Sequence, residues 1–194
     1  TASADAYHLT YIKSDRTRDD FKRWADAAEA LNKDHPNWTG IGKLVADTRL
    51  LIDALAADSR VDAQRIGIAG HSLGGKMGFY TGCLDERVRV ILASDFGIGW
   101  DQTNWRDTWY WADKVDDLIA KGMDHAQLLG TVAPKPFCLI AGQFDNMDSW
   151  DIMCCAPGYT PGDGRLKIIN HATGHTPPPD ALQEGYAFLD RWLK

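Results

Sequence analysis

The sequence predicts an α/β protein, a mostly parallel sheet of about five or six strands with helices on both faces. Three observations carry this. Short apolar runs of strand length recur along the 194 residues. Stretches with helical apolar spacing lie between them. The run at 65–70 passes through a glycine-rich turn directly into a helical stretch.

Taken in order, Tyr7-His8-Leu9-Thr10-Tyr11-Ile12 carries the weakest strand signal. Over 20–32, Phe21, Trp24, Ala28 and Leu31 fall on one helical face, and over 43–57 Leu44, Thr48, Leu51, Ile52 and Leu55 form a stripe. Arg65-Ile66-Gly67-Ile68-Ala69-Gly70 reads as a buried strand, followed by a helix from Lys76 to Cys83. Val88-Arg89-Val90-Ile91-Leu92-Ala93, Phe137-Cys138-Leu139-Ile140-Ala141 and Leu166-Lys167-Ile168-Ile169-Asn170 are further strands. Leu182, Tyr186, Leu189 and Leu193 step by 4, 3 and 4, the spacing of an amphipathic closing helix. Breaker-rich stretches at 156–164 and 176–180 are loops.

The length suits a single domain over 1–194, with no internal repeat. Apolar residues make up 44% and charged residues 25%, the balance of a globular chain. A net charge of −6 argues against a nucleic-acid or anionic-membrane binder, and no apolar run reaches the length of a membrane span. Of the four cysteines, Cys83 and Cys138 are expected as buried thiols, and Cys154-Cys155 as a turn near a pocket rim. The chain opens on Thr1 rather than Met, so the expectation is that processing or truncation removed what preceded it. The residues present carry no signal peptide or anchor, and the compartment stays open.

In sheets of this kind ligands bind beyond the carboxyl ends of the strands, so the residues that follow each strand matter most. After 65–70 comes Gly70-His71-Ser72-Leu73-Gly74-Gly75, a G-x-S-x-G motif between strand and helix. Such a turn lifts the Ser72 hydroxyl above the sheet, and the Leu73 N–H is positioned as an oxyanion donor. A serine hydroxyl needs a histidine to take its proton and an acid to orient that histidine. In chain order the acid comes next. Asp145, beyond the 137–141 strand, is the leading candidate, with Asp148 and Asp95 as alternatives and Asp151 farther out. His175 follows Gly174 in the loop before the last helix, where the base should hang over the serine. His171 lies closer to its strand and is expected to bond within the loop. The scattered histidines offer no metal-ligand spacing.

On these residues the chain resembles the α/β-hydrolases, and within them the dienelactone-hydrolase-like and acetyl-xylan-esterase-like serine esterases. The resemblance rests on Val61-Asp62-Ala63-Gln64-Arg65-Ile66-Gly67 running into Gly70-His71-Ser72-Leu73-Gly74-Gly75-Lys76. Val132-Ala133-Pro134-Lys135-Pro136-Phe137 ahead of Gly142-Gln143-Phe144-Asp145, and Gly174-His175, add to it. It covers about residues 43–194. It implies Ser72 as nucleophile, Asp145 as acid and His175 as base, with no metal or organic cofactor. Family members carry more strands ahead of the nucleophile strand than residues 1–64 can hold, so some N-terminal strands are expected to be missing. The open sheet edge this leaves could be covered by a second copy.

Eight tryptophans crowd this chain. Trp100, Trp105 and Trp109 within 100–130, together with Trp150, are expected to form a lid or pocket wall, with His71 beside the serine. The function expected is hydrolysis of short acyl esters, acetylated carbohydrate among them. A peptidase or acyltransferase would use the same three residues, and a non-catalytic binding module of the same fold is the alternative from another class.

Overall fold

A computed structural model describes residues 1–13, 20–142, 145, 148–160 and 162–194. Gln143, Phe144, Asn146 and Met147 of the expected acid loop, and Pro161 of the 156–164 loop, lie outside the described residues. Four strands form the sheet among the described residues, not five or six: β1 (Ile66–His71), β2 (Val88–Ser94), β3 (Phe137–Ala141) and β4 (Leu166–Asn170). They run in the order β1-β2-β3-β4, every pair parallel.

The missing strand is the one read at 7–12. That segment forms a helical turn instead, α1 (Tyr7–Thr10). Its neighbours Tyr7 and His8 are both buried, which the period-two alternation of a strand does not allow on a one-sided surface. Tyr7 and Tyr11 meet edge to face, the i,i+4 contact of a helix, and Tyr7 Oη donates to the Trp109 carbonyl at 2.9 Å. Next come α2 (Asp20–Asp34) and α3 (Gly40–Ala56). The latter starts three residues earlier than its apolar stripe suggests, because the Thr39 hydroxyl caps it by accepting from the Gly42 N–H at 3.1 Å.

Strand alternation divides the core. Ile91, Ala93, Phe137 and Leu139 face one side, where α3 and α4 (Leu73–Leu84) pack. Val90, Leu92, Cys138 and Ile140 face the other, covered by α9 (Pro179–Leu193) through Ala181, Phe188 and Leu189. Cys83 and Cys138 are buried as expected, and Cys155 is exposed beside the end of α8 (Ser149–Cys154). Between β2 and β3, α5 (Thr108–Trp111), α6 (Val115–Ala120) and α7 (His125–Gly130) build the segment read as a lid or wall. Among the described residues no helix is long and apolar enough to cross a membrane.

Register is what positions the site. His71 pairs with Ser94, Ser94 with Ile140, and Ala141 with Asn170. The ladder continues one residue farther on each strand: Ser72 N–H donates to Ser94 O, Asp95 N–H to Ile140 O and His171 N–H to Ala141 O, at 2.8, 2.8 and 3.0 Å. The first residue beyond each of these strands is therefore held at the same carboxyl edge of the sheet.

Candidate active site

Ser72 sits at φ 55° and ψ −117°, a left-handed conformation that costs a non-glycine residue about 1–3 kcal/mol. Two features hold it there. Its N–H is committed to Ser94, and its carbonyl accepts from Lys76 N–H at 3.0 Å as the first bond of α4. The turn closes only because Gly70 has no side chain, since a Cβ there would stand 1.9 Å from Gly74 O. Leu73 is the first residue of α4, so its N–H is one of the helix-start amides without an i−4 carbonyl.

The loop after β4 brings His175 back over this turn, with Nε2 2.7 Å from Ser72 Oγ. The imidazole pKa is lowered from its ordinary 6.5, first by burial and then by the neighbouring His71 ring, against the opposing pull of Asp95 and Asp145. The His71 ring lies 4.9 Å from that of His175. A neutral imidazole at hydrogen-bond distance from a strained serine is the geometry that accepts a hydroxyl proton.

Two buried carboxylates act on the His175 imidazole through their charge. Asp95, the residue after β2, has a left-handed φ of 50° and is 2% exposed. Its Oδ2 accepts from Ser94 Oγ and lies 3.6 Å from His71 Nδ1, and His171 Nε2 stands 3.1 Å from its Oδ1. Burial works against its charge, but the nearby His71, the Ser94 hydroxyl bond and the adjacent His171 outweigh it, so its pKa is lowered. Asp145 is 8% exposed and faces backbone. Its Oδ1 accepts from Gly97 N–H and its Oδ2 from Gly142 N–H, both at 2.8 Å. Burial raises the Asp145 pKa despite those two donors. Gly142, whose N–H serves Asp145, also abuts Asp95, since a Cβ there would stand 2.1 Å from Asp95 Oδ1 and 2.5 Å from Gly174 O.

The other acids lie elsewhere. Asp148 accepts from Gln102 Nε2 at 3.0 Å, and Asp151 is in the first turn of α8. His171 bonds within its own loop, with Nδ1 3.1 Å from Thr173 Oγ1. No group of three His, Cys, Asp or Glu side chains among the described residues is arranged to hold a metal ion.

Ser72, Asp95 and His175 open onto a cleft of about 560 Å³, lined also by Phe21, Trp24, Lys76, Thr103, Asn104 and Tyr110. The tryptophans expected there stand behind it or apart from it. Trp105 is fully buried under the floor, its Nε1 donating to Gly97 O at 2.7 Å and its ring 4.3 Å from Lys76 Nζ. Trp109 is buried behind the wall, Trp100 donates to Met123 O, and Trp150 is exposed on α8. Among the cleft residues that sequence reasoning missed, Lys76 lies nearest the serine in the chain. It is 2% exposed, donates to Phe96 O and Thr103 Oγ1, and has its pKa pushed down by burial to about 7. Its position one turn beyond Ser72 was the available signal, because i+4 shares a helix face with i.

No protein-family model matches the chain. It is 24% identical over 166 residues to the Bacillus subtilis (strain 168) protein named "Putative hydrolase YtaP", covering 78% of this chain and 54% of that protein. Among solved structures it is similar to a glucuronoyl esterase from Solibacter usitatus, with a TM-score of 0.66 at 16% identity, covering 81% of this chain and 50% of the other. The catalytic domain of a Hypocrea jecorina glucuronoyl esterase matches at TM-score 0.66 and 18% identity, covering 79% and 51%. A Teredinibacter turnerae CE15 glucuronoyl esterase matches at 0.58 and 22%, covering 79% and 47%. The chain spans about half the length of these relatives. With a parallel sheet covered on both faces and a strained serine between strand and helix, the chain has the α/β-hydrolase fold.

Proposed function

We propose that this chain is a serine hydrolase that cleaves carboxylic esters through an acyl-enzyme. The observation that carries the reading is the 2.7 Å contact between His175 Nε2 and the hydroxyl of Ser72 at its strained turn. His175 takes the hydroxyl proton while Ser72 Oγ bonds to the ester carbonyl carbon. Leu73 N–H steadies the resulting oxyanion at the head of α4. His175 then gives its proton to the leaving alcohol as the C–O bond breaks, leaving the acyl group on Ser72. Water, deprotonated by His175, repeats the sequence and releases the acid.

The acid that stabilises the imidazolium is Asp95 in this proposal. Asp145, the residue its chain position favours, has both oxygens engaged by Gly97 and Gly142 amides. Charge stabilisation lowers the pKa of Asp95 whereas burial raises that of Asp145, and of the two Asp95 exerts the stronger pull on His175. Lys76, Thr103 and Asn104 give the cleft a polar floor suited to a hydroxylated ester. The names of the solved relatives, glucuronoyl esterases, support a sugar-linked substrate in the same sense.

Labelling with a fluorophosphonate probe, read by intact mass and peptide mapping, tests the nucleophile. One label on Ser72 is expected, lost in Ser72→Ala and in His175→Ala, with p-nitrophenyl acetate turnover falling about 10⁴-fold or more in Ser72→Ala. Folded protein that takes no label would refute the reading.

A further inference from the structure

The apolar stripe of α2 does two jobs along its length. Ala28 and Leu31 are buried in the core. One turn back Trp24 is half-buried, and Phe21 is 58% exposed. Both of these rings line the cleft that holds Ser72 and His175. They form a corner with Trp109. Phe21 stacks on Trp109 at 5.8 Å with 15° between planes, and Trp24 meets Phe21 and Trp109 edge-on at 84° and 82°. The Nε1 atoms of Trp24 and Trp109 are buried. The corner therefore offers the cleft ring surface and no indole donor. Sugar hydroxyls would find partners at Lys76, Thr103 and Asn104, not here.

We propose that Phe21 and Trp24 form a subsite for a planar aromatic group of the substrate, and so set which esters the cleft prefers. This rests on the esterase reading for the ligand's being an ester, while the subsite itself rests on the ring geometry. A flat ring entering beside Phe21 would extend the stack and cover the most exposed aromatic surface of the cleft. The wall is mechanically separate from the chemistry. Helix α2 packs on α1 and α5, whereas the Ser72 turn is held by β1, β2 and α4.

The test compares benzyl acetate with cyclohexylmethyl acetate, which differ in aromaticity at similar size. Both are titrated calorimetrically into Ser72→Ala, which holds an ester without turning it over, and both are assayed for hydrolysis by the wild-type chain. The benzyl ester is expected to bind about 3- to 10-fold more tightly, the range of one stacked pair. Adding Phe21→Leu or Phe21→Ala should bring the ratio to about one, and the exposed position of Phe21 leaves both variants folded, checked by circular dichroism. Equal binding of the two esters, or a benzyl preference that survives both substitutions, would overturn the subsite. So would a Phe21-dependent preference for methyl glucuronate over benzyl acetate, which would make the corner a sugar platform. If the wild-type chain hydrolyses neither ester while Ser72→Ala keeps the Phe21-dependent benzyl preference, the esterase reading fails and the subsite stands.

Discussion

Asp95 and Asp145 lie close together and differ in what their oxygens do. Asp145 joins the loop after β2 to the loop after β3 by accepting from Gly97 and Gly142, so its carboxylate is a brace. Asp95 meets side chains, among them two imidazoles at 3.1 and 3.6 Å. The two asparagine variants should separate these roles. Asp95→Asn is expected to lower kcat by about 10³- to 10⁴-fold, as loss of the acid does in such triads. Asp145→Asn turns an amide NH₂ toward one backbone N–H, so it should cost about 1–3 kcal/mol of stability and leave kcat within about tenfold. The pH profile gives a second reading. In the proposed mechanism the base must be neutral, so kcat/KM is expected to fall as pH drops through the His175 pKa, and burial places that limb below 6.5. Asp95 pulls the pKa upward, so Asp95→Asn should move the limb to still lower pH. A limb that moves in Asp145→Asn and not in Asp95→Asn would reassign the acid.

Helix α9 shows how one element serves both stability and site. Its apolar face covers Val90, Leu92, Cys138 and Ile140, and the chain just ahead of it carries His175. Phe188 is 5% exposed in that layer, so Phe188→Ala should cost about 3–5 kcal/mol in guanidinium unfolding. A cost under about 1 kcal/mol would mean that α9 is not anchored as described. This helix, the four strands and the serine turn were legible in the sequence, because period and turn chemistry are local signals. The expected runs differ from the observed strands by one residue at three of the eight ends and match at the other five. Other features were not local. Tyr7–Ile12 reads as strand by composition, but the segment takes a helical turn that buries Tyr7 against the distant Trp109 carbonyl, a contact no local signal encodes. Phe21 and Trp24 share a predicted face with Ala28 and Leu31, but a stripe shows which residues share a face and not where the core beneath it ends. Trp105 reads as pocket wall, yet it lies below Lys76, a placement set by a fold-back across 97–105 that periodicity does not encode. The proposed division of labour between Asp95 and Asp145 depends on backbone amides from two loops, which residue spacing cannot reveal.

At the scale of the whole molecule, buried ionisable groups should set how stability responds to acid. His8 and His125 are each 1% exposed, and burial pushes their pKa values down to about 4 and about 3. Unfolding would release both to the ordinary value of 6.5. Between that value and the folded one, the unfolded chain binds more protons than the folded chain, so stability falls as pH falls. The window opens at 6.5 and closes near pH 4 for His8 and near pH 3 for His125, with a slope of up to about 1.4 kcal/mol per pH unit for each. Asp107 and Asp145 act in the opposite sense, since burial raises their pKa values from 3.8 and acidification through that interval favours the folded form. Asp85 and Asp95, whose pKa values are lowered from 3.8, lose stabilisation on acidification in the same sense as the histidines. Guanidinium midpoints at pH 7, 6, 5 and 4 should therefore fall progressively below pH 6.5. His8→Phe should flatten the slope without abolishing it, because His125 still titrates against a cage that includes Trp100 and Trp105 at 4.3 and 4.6 Å. A midpoint that stays level from pH 7 to 4 would show that these imidazoles take up protons in place, and that the aromatic layer under the cleft admits water.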